Sequence, residues 1–277
     1  MKPNDEAVRH AGRVVRAELR TTAPPDRVYA AFADPESLSH WFTEAARGSA
    51  AAPGGTMTWV FERFGLEVVL DVLVAEKGKR LVLRCEPPGS LPNVLEVTIE
   101  HEGKEGGRTL LRVVNSGFGD DAASDERRRG VDSGWAMALQ VLRFYVERHF
   151  GERRLDFLAM RPARFDFAAA FARYTTTAGL RSWLAPDAAT DGKTFSFTLG
   201  GRRLSGDVLV RTDFETALAA REVEGVFELK SIRTGPDAAA LAVRASLWGA
   251  DAAGRDALER EFGAALGRLA AALEAGD

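Results

Sequence analysis

Little in this sequence announces chemistry. Of its 277 residues one is cysteine and four are histidine. A lone thiol, Cys85, excludes an internal disulfide and suits a reducing compartment, so the chain is expected in the cytoplasm. It falls in a strand-like run, where an inert, buried thiol is the simpler reading. The histidines (His10, His40, His101 and His149) stand far apart with no neighbour at ligand spacing, which leaves a metal centre unsupported. His40, beside Trp41, reads as a surface residue. Ser116 lies in no Gly-x-Ser-x-Gly elbow, and no glycine-rich phosphate loop follows a strand, Gly200-Gly201 reading as a hairpin turn. No catalytic residue, metal ligand or cofactor is therefore expected. Charge of one sign is also missing: 37 Lys and Arg face 40 Asp and Glu, a net −3. With the signs interspersed there is no basic face for nucleic acid. Arg127-Arg128-Arg129 falls in a polar stretch, 120–132, that reads as a solvated loop. No run of eighteen apolar residues occurs, and the N-terminus has no apolar signal core. Neither a membrane span nor secretion is expected.

What is present is a patterned 45% of hydrophobic residues, enough for two domains. The organising stretch is 134–151, GWAMALQVLRFYVERHFG. Trp135, Leu139, Leu142 and Val146 recur at i, i+4, i+7 and i+11, one helical stripe. Met137, Ala138, Val141 and Tyr145 widen it, Ser133 and Asp132 suit its start, and Gly151 suits its stop. Before it lie strand-like segments at 13–21, 56–62, 66–75, 80–85, 93–101 and 109–114, divided by glycine- or proline-bearing turns, the spacing of antiparallel hairpins. Two short helices are expected after Pro24-Pro25-Asp26 and over 38–42. Glu67 and Asp71 read as surface positions at a sheet edge.

The second half repeats the first. Thr56-Met57-Thr58-Trp59-Val60-Phe61 is echoed by Thr194-Phe195-Ser196-Phe197-Thr198-Leu199. Asp71-Val72-Leu73-Val74 returns verbatim as Asp207-Val208-Leu209-Val210, which suggests a structural role, a turn or ladder contact shared by both copies. LRVVNSGFG (111–119) aligns with LAVRASLWG (241–249), and Phe262, Leu266, Leu269 and Leu273 keep the spacing of the Trp135 stripe. A strand over 155–160 followed by Pro162, then 167–171 and Ser182-Trp183, completes the second set. Two domains are expected, 1–151 and 152–277.

Ala33-Asp34-Pro35 with Trp41, the Pro87-Pro88 turn, Ser116-Gly117-Phe118 and the Gly134-Trp135 helix start together resemble the activator of heat-shock protein 90 ATPase homologue family, within the START-like helix-grip (SRPBCC) superfamily. The resemblance covers residues 10–150 and extends more weakly over 152–277, where Ser246-Leu247-Trp248 and Glu261-Phe262 depart from it. It implies an α+β fold of two tandem helix-grip domains, each a curved antiparallel sheet wrapped on a long C-terminal helix. It implies non-catalytic binding of a small hydrophobic molecule between helix and sheet of the first domain, lined by Phe32, Trp41, Trp59, Phe61, Trp135 and Leu139. An aromatic core has the same signature as an aromatic pocket. A co-chaperone-like or scaffold role, with a protein partner such as a chaperone, is the second expectation, and an enzyme acting on an aromatic or polyketide-like substrate the third. The second domain, shorter between Trp183 and Asp207, is expected to be the more tightly filled.

Overall fold

The computed structural model describes residues 12–86, 92–103, 107–235 and 238–275; the Pro87-Pro88 turn lies outside them. The chain divides into two compact units between Arg153 and Arg154.

In the first unit the alternation of RVVRAELRT produces β1 (Arg13–Thr21), with Val15 and Leu19 buried. Pro25 opens α1 (Pro25–Ala33), where a missing N–H costs nothing. Asp34 ends that helix and starts the next, its Oδ1 accepting from the Ser37 N–H at 2.7 Å. The next helix, α2, is therefore Pro35–Ser39 rather than 38–42, and Trp41 and Phe42 lie in the turn beyond. Then come β2 (Ala45–Gly48), β3 (Thr56–Phe61), β4 (Leu66–Glu76), β5 (Arg80–Cys85), β6 (Asn93–Glu102) and β7 (Arg108–Phe118). Every neighbouring pair is antiparallel, in the order β1-β7-β6-β5-β4-β3-β2. β7 runs past residue 114 because Asn115 and Phe118 stay in the ladder, and Gly117 (φ +97°) lets the strand pass the Pro92 carbonyl, which a Cβ would strike.

The long helix, α3 (Ala122–Phe144), begins twelve residues earlier than residue 134. Its first three turns are the stretch expected to be a loop. Asp121 caps it through the Ser124 N–H (2.8 Å), and Asp125 pairs with Arg128 (3.1 Å) and Arg129 (3.9 Å) one turn on. Polar residues without an apolar stripe gave no periodic signal, yet they are sound helix formers. The apolar stripe follows as expected, with Trp135, Leu139, Leu142 and Val146 buried. A π-helical turn (Tyr145–His149) closes the helix before Gly151, at φ +89°.

The second unit repeats this plan: β8 (Leu155–Pro162), α4 (Phe167–Thr175), α5 (Thr177–Trp183), β9 (Ala189–Thr190), β10 (Thr194–Leu199), β11 (Arg202–Arg211), β12 (Glu215–Ala220), β13 (Gly225–Gly235), β14 (Ala238–Leu247) and α6 (Ala252–Glu274). The order, β8-β14-β13-β12-β11-β10-β9, is that of the first sheet. Details repeat as well. The tryptophan indole N–H of Trp41 donates to the Ala31 carbonyl (2.8 Å), and that of Trp183 to the Arg173 carbonyl (3.0 Å), each ten residues back. Both Asp-Val-Leu-Val segments carry a bulge at the leucine, between Val72 and Val74 and between Val208 and Val210. Both aspartates take an arginine at 3.3 Å, Asp71 from Arg84 on β5 and Asp207 from Arg221 just past the end of β12. The contact is a ladder pair in the first copy and reaches the turn after β12 in the second. Two α+β domains, each a seven-stranded antiparallel sheet with a long C-terminal helix, are thus built on one frame.

Candidate functional site

Six aromatic rings meet in the first domain. Phe32, on α1, lies edge-on to Trp41 (5.2 Å) and 6.5 Å from Trp135. Phe42 is the hub: it touches Trp41 (5.0 Å), stacks on Trp135 (5.6 Å, 8° between planes), and meets Trp59 (5.1 Å) and Phe61 (5.8 Å) edge-on. The structure thus joins five of the six expected lining residues through a seventh. Leu139, one turn beyond Trp135, is buried on the same stripe. Phe42 was the omission. Its signal was present: a phenylalanine next to Trp41, in the turn that a shorter α2 leaves free to reach across.

Phe32, Trp41, Trp59 and Trp135 are buried, while Phe42 and Phe61 are only half-buried, so the cluster reaches solvent at the β2–β3 edge. Two polar atoms interrupt this apolar ground. Trp59, 8% exposed, buries an indole N–H with no hydrogen-bond partner among the described residues. Glu44 takes Arg63 Nη1 on Oε1 at 3.0 Å, and its Oε2 is buried without a partner among those residues. Sequence reading missed Glu44 and Arg63, since nothing local marks an ion pair that spans nineteen positions.

At the other end of the domain, residues read as surface prove buried. His40 is one, 6.2 Å from the Tyr145 ring; α2 turns it inward because Asp34 caps the helix earlier than expected. Tyr145 Oη bonds Ser37 Oγ (3.0 Å) and accepts from the Gly151 N–H (3.2 Å). Arg27 donates to the Val146 carbonyl (3.0 Å), and Glu147 Oε1 accepts from Thr21 Oγ1 and the Thr22 N–H, both at 2.9 Å. Cys85 is half-buried, and burial followed by Asp71 and Glu86 pushes its thiol up, away from reactivity.

The second domain answers with a closed cluster. Phe262 lies 6.0 Å from Phe157, 6.2 Å from Phe197 and 5.1 Å from Phe227, and Phe195 backs Phe197 at 5.6 Å. All five rings are buried. Counted from the caps, Phe262 stands eleven residues past Asp251 and Trp135 fourteen past Asp121. The buried stripe of Phe262, Leu266 and Leu269 nonetheless keeps the spacing of Trp135, Leu139 and Leu142. An open cleft of about 490 Å³ lies on β9–β11, with Thr190, Asp191, Ser196, Ser205 and Arg221 among its walls. Its walls mix these polar groups with apolar surface from Ala189 and Phe195. Elsewhere Glu228, 3% exposed, holds Lys230 Nζ at 2.7 Å, with Glu215 3.8 Å from the same ammonium and Arg244 directly across the ladder. Burial pushes the Glu228 carboxyl up, but Lys230, Arg244 and Arg154 outweigh it and hold the group below the usual carboxylate range. Among the described residues no group of three His, Cys, Asp or Glu side chains is placed to hold a metal ion, and no helix is long and apolar enough to cross a membrane.

A curved antiparallel sheet with two short helices at one end and a long C-terminal helix is the START-like helix-grip architecture, here in two copies. Residues 22–147 match the model of the family described as Activator of Hsp90 ATPase homolog 1-like protein. Among solved structures the chain is similar to DynU16, from the dynemicin biosynthetic locus (20% identity, 94% of this chain and 98% of that one, TM-score 0.42). It is similar to the di-domain ARO/CYC BexL of the BE-7585A pathway (13%, 95% and 99%, TM-score 0.45). One half is similar to Aha1 of Colwellia psychrerythraea (19%, 50% and 99%, TM-score 0.42). No curated protein matches the sequence.

Proposed function

We propose that the first domain binds a small hydrophobic molecule, without catalysis, against its aromatic cluster. One observation carries this reading: rings from α1, the turn after α2, β3 and α3 converge through Phe42, and the cluster is left part-open and supplied with two unanswered polar atoms. An aromatic core with no guest to hold would be sealed, as the five phenylalanines of the second domain are. The boundary expected near residue 151 makes this a site within one domain.

The test uses the full chain. A hydrophobic fluorescent dye should bind, and Phe61→Lys, at a half-buried position, should weaken binding at least tenfold while the circular dichroism spectrum is kept. Native mass spectrometry of freshly purified protein should find a small molecule displaced by the dye. Unchanged dye affinity in Phe61→Lys would sink the assignment.

A second reading, a docking module for a protein such as a chaperone, is favoured by one feature. Phe64, Leu66 and Val69, on and beside the β3–β4 turn, are each about half exposed or more. Loss of a protein partner from Leu66→Asp, with dye binding intact, would support it.

A further inference from the structure

Resting on that reading of the site, we propose that Glu44 selects its ligand: a planar, uncharged aromatic molecule with a hydroxyl group that donates to Glu44 Oε2. Glu44 follows Phe42 by two residues, and Arg63 follows Phe61 by two. The ion pair thus sits beside the two half-buried rings of the cluster, where a guest would enter. The Glu44 side chain is only 12% exposed. Arg63 occupies Oε1, and the unanswered Oε2 is an acceptor shut away from water, which is costly until a donor arrives.

The second unanswered group fixes the chemistry further. Trp59 Nε1 is a donor, on a ring 5.1 Å from Phe42. One buried acceptor and one buried donor call for a guest that gives and takes hydrogen bonds, as a hydroxyl does and an ether or hydrocarbon does not. Arg63 already balances Glu44, so the pair has no net charge to spare for an ammonium ion. An anionic guest would meet the carboxylate at Oε2. The parallel Phe42 and Trp135 rings and the edge-on Trp59 and Phe61 favour a flat aromatic body.

Calorimetric titration of the full chain tests this with three probes: 2-naphthol, its methyl ether, and 2-naphthylmethylammonium. Each is run on the wild type, Glu44→Gln and Trp59→Phe. The naphthol should bind the wild type at least tenfold tighter than the ether, since a hydrogen bond to a buried charge is among the stronger ones. That advantage should fall below threefold in Glu44→Gln and shrink in Trp59→Phe. Equal binding of naphthol and ether by the wild type overturns the inference and leaves the hydrophobic site standing. An undiminished naphthol advantage in Glu44→Gln overturns the role of Glu44, and tightest binding of the ammonium probe overturns the uncharged class. If neither neutral probe binds, the site and the inference fail together. The wild-type comparison decides even if a variant does not fold.

Discussion

Removing Trp135 strikes the first domain where its helix, its sheet and its aromatic cluster meet. The side chain stacks on Phe42, lies 6.5 Å from Phe32, and donates from Nε1 to Asn115 Oδ1 at 3.4 Å. A buried tryptophan withdraws roughly 150–250 Å² from water, which at about 25 cal/mol per Å² comes to roughly 4–6 kcal/mol. Alanine keeps part of that, and a compact denatured chain lowers the figure by roughly 10–40%. The lost ring stack restores about 0.5–1.5 kcal/mol. The result for Trp135→Ala is a loss of about 3–5 kcal/mol, the range seen when large side chains are cut from cores. With a urea slope of about 2 kcal/mol per molar, the first-domain midpoint should fall by roughly 1.5–2.5 M. Urea unfolding followed by hydrogen exchange at β7 and α3 amides isolates that domain, as a two-domain chain need not unfold in one step. Trp135→Phe, which keeps a ring over Phe42, should recover more than half of the loss. A midpoint shift below about 0.5 M for Trp135→Ala would refute the reasoning.

The second domain should weaken in acid through Glu228. Its folded pKa is depressed, so its contribution is present above the ordinary carboxylate pKa and disappears as pH falls through the folded value; an identical acid slope in Glu228→Gln would contradict this. Lys230→Met leaves Glu228 and Glu215 without their shared ammonium and should cost about 3–5 kcal/mol in urea. Tyr174 titrates the other way. Burial raises its phenol well above the usual value, so stability present below pH about 10 should fall as pH rises beyond the unfolded pKa, and Tyr174→Phe should flatten that alkaline limb. The glycines separate cleanly. Gly117→Ala, at positive φ and against the Pro92 carbonyl, should destabilise by more than about 1 kcal/mol. Gly134→Ala, at an exposed position of α3 with open space around it, should stabilise by about 0.5–1 kcal/mol on thermal unfolding.

The frame was legible because it is written in local patterns and written twice. Alternation placed β1, β3 and β5 within a residue of their observed bounds. The repeated Asp-Val-Leu-Val carried a bulge and an ion pair along with its letters. The first three turns of α3 were not legible, because capping and ion pairs hold them instead of an apolar stripe. Four-residue β2 is too short for periodicity to register. The five expected rings do converge, but the edge of the cluster is set by partners brought together only in the folded chain. Glu44 meets Arg63, and Phe42 meets Trp135, across separations that leave no mark in a sequence window. The Glu215, Glu228 and Lys230 group hides for the same reason: charged residues on a strand read as solvent-facing until burial is known.

The fastening at the end of α3 bears on how a guest would get in. Tyr145, Val146 and Glu147 tie the last turns of that helix to α2, α1 and the end of β1 by hydrogen bonds of 2.9–3.0 Å, so the two short helices are held to the end of α3. β2 is a four-residue border strand paired only to β3 among the described residues. Breathing that admits a molecule should therefore start at that border, with β2 peeling from β3 while the helices stay seated. Amides of residues 45–48 should exchange with solvent orders of magnitude faster than those of α1, and a bound guest should slow them selectively. Faster exchange in α1 than in β2 would move the doorway to the helical end.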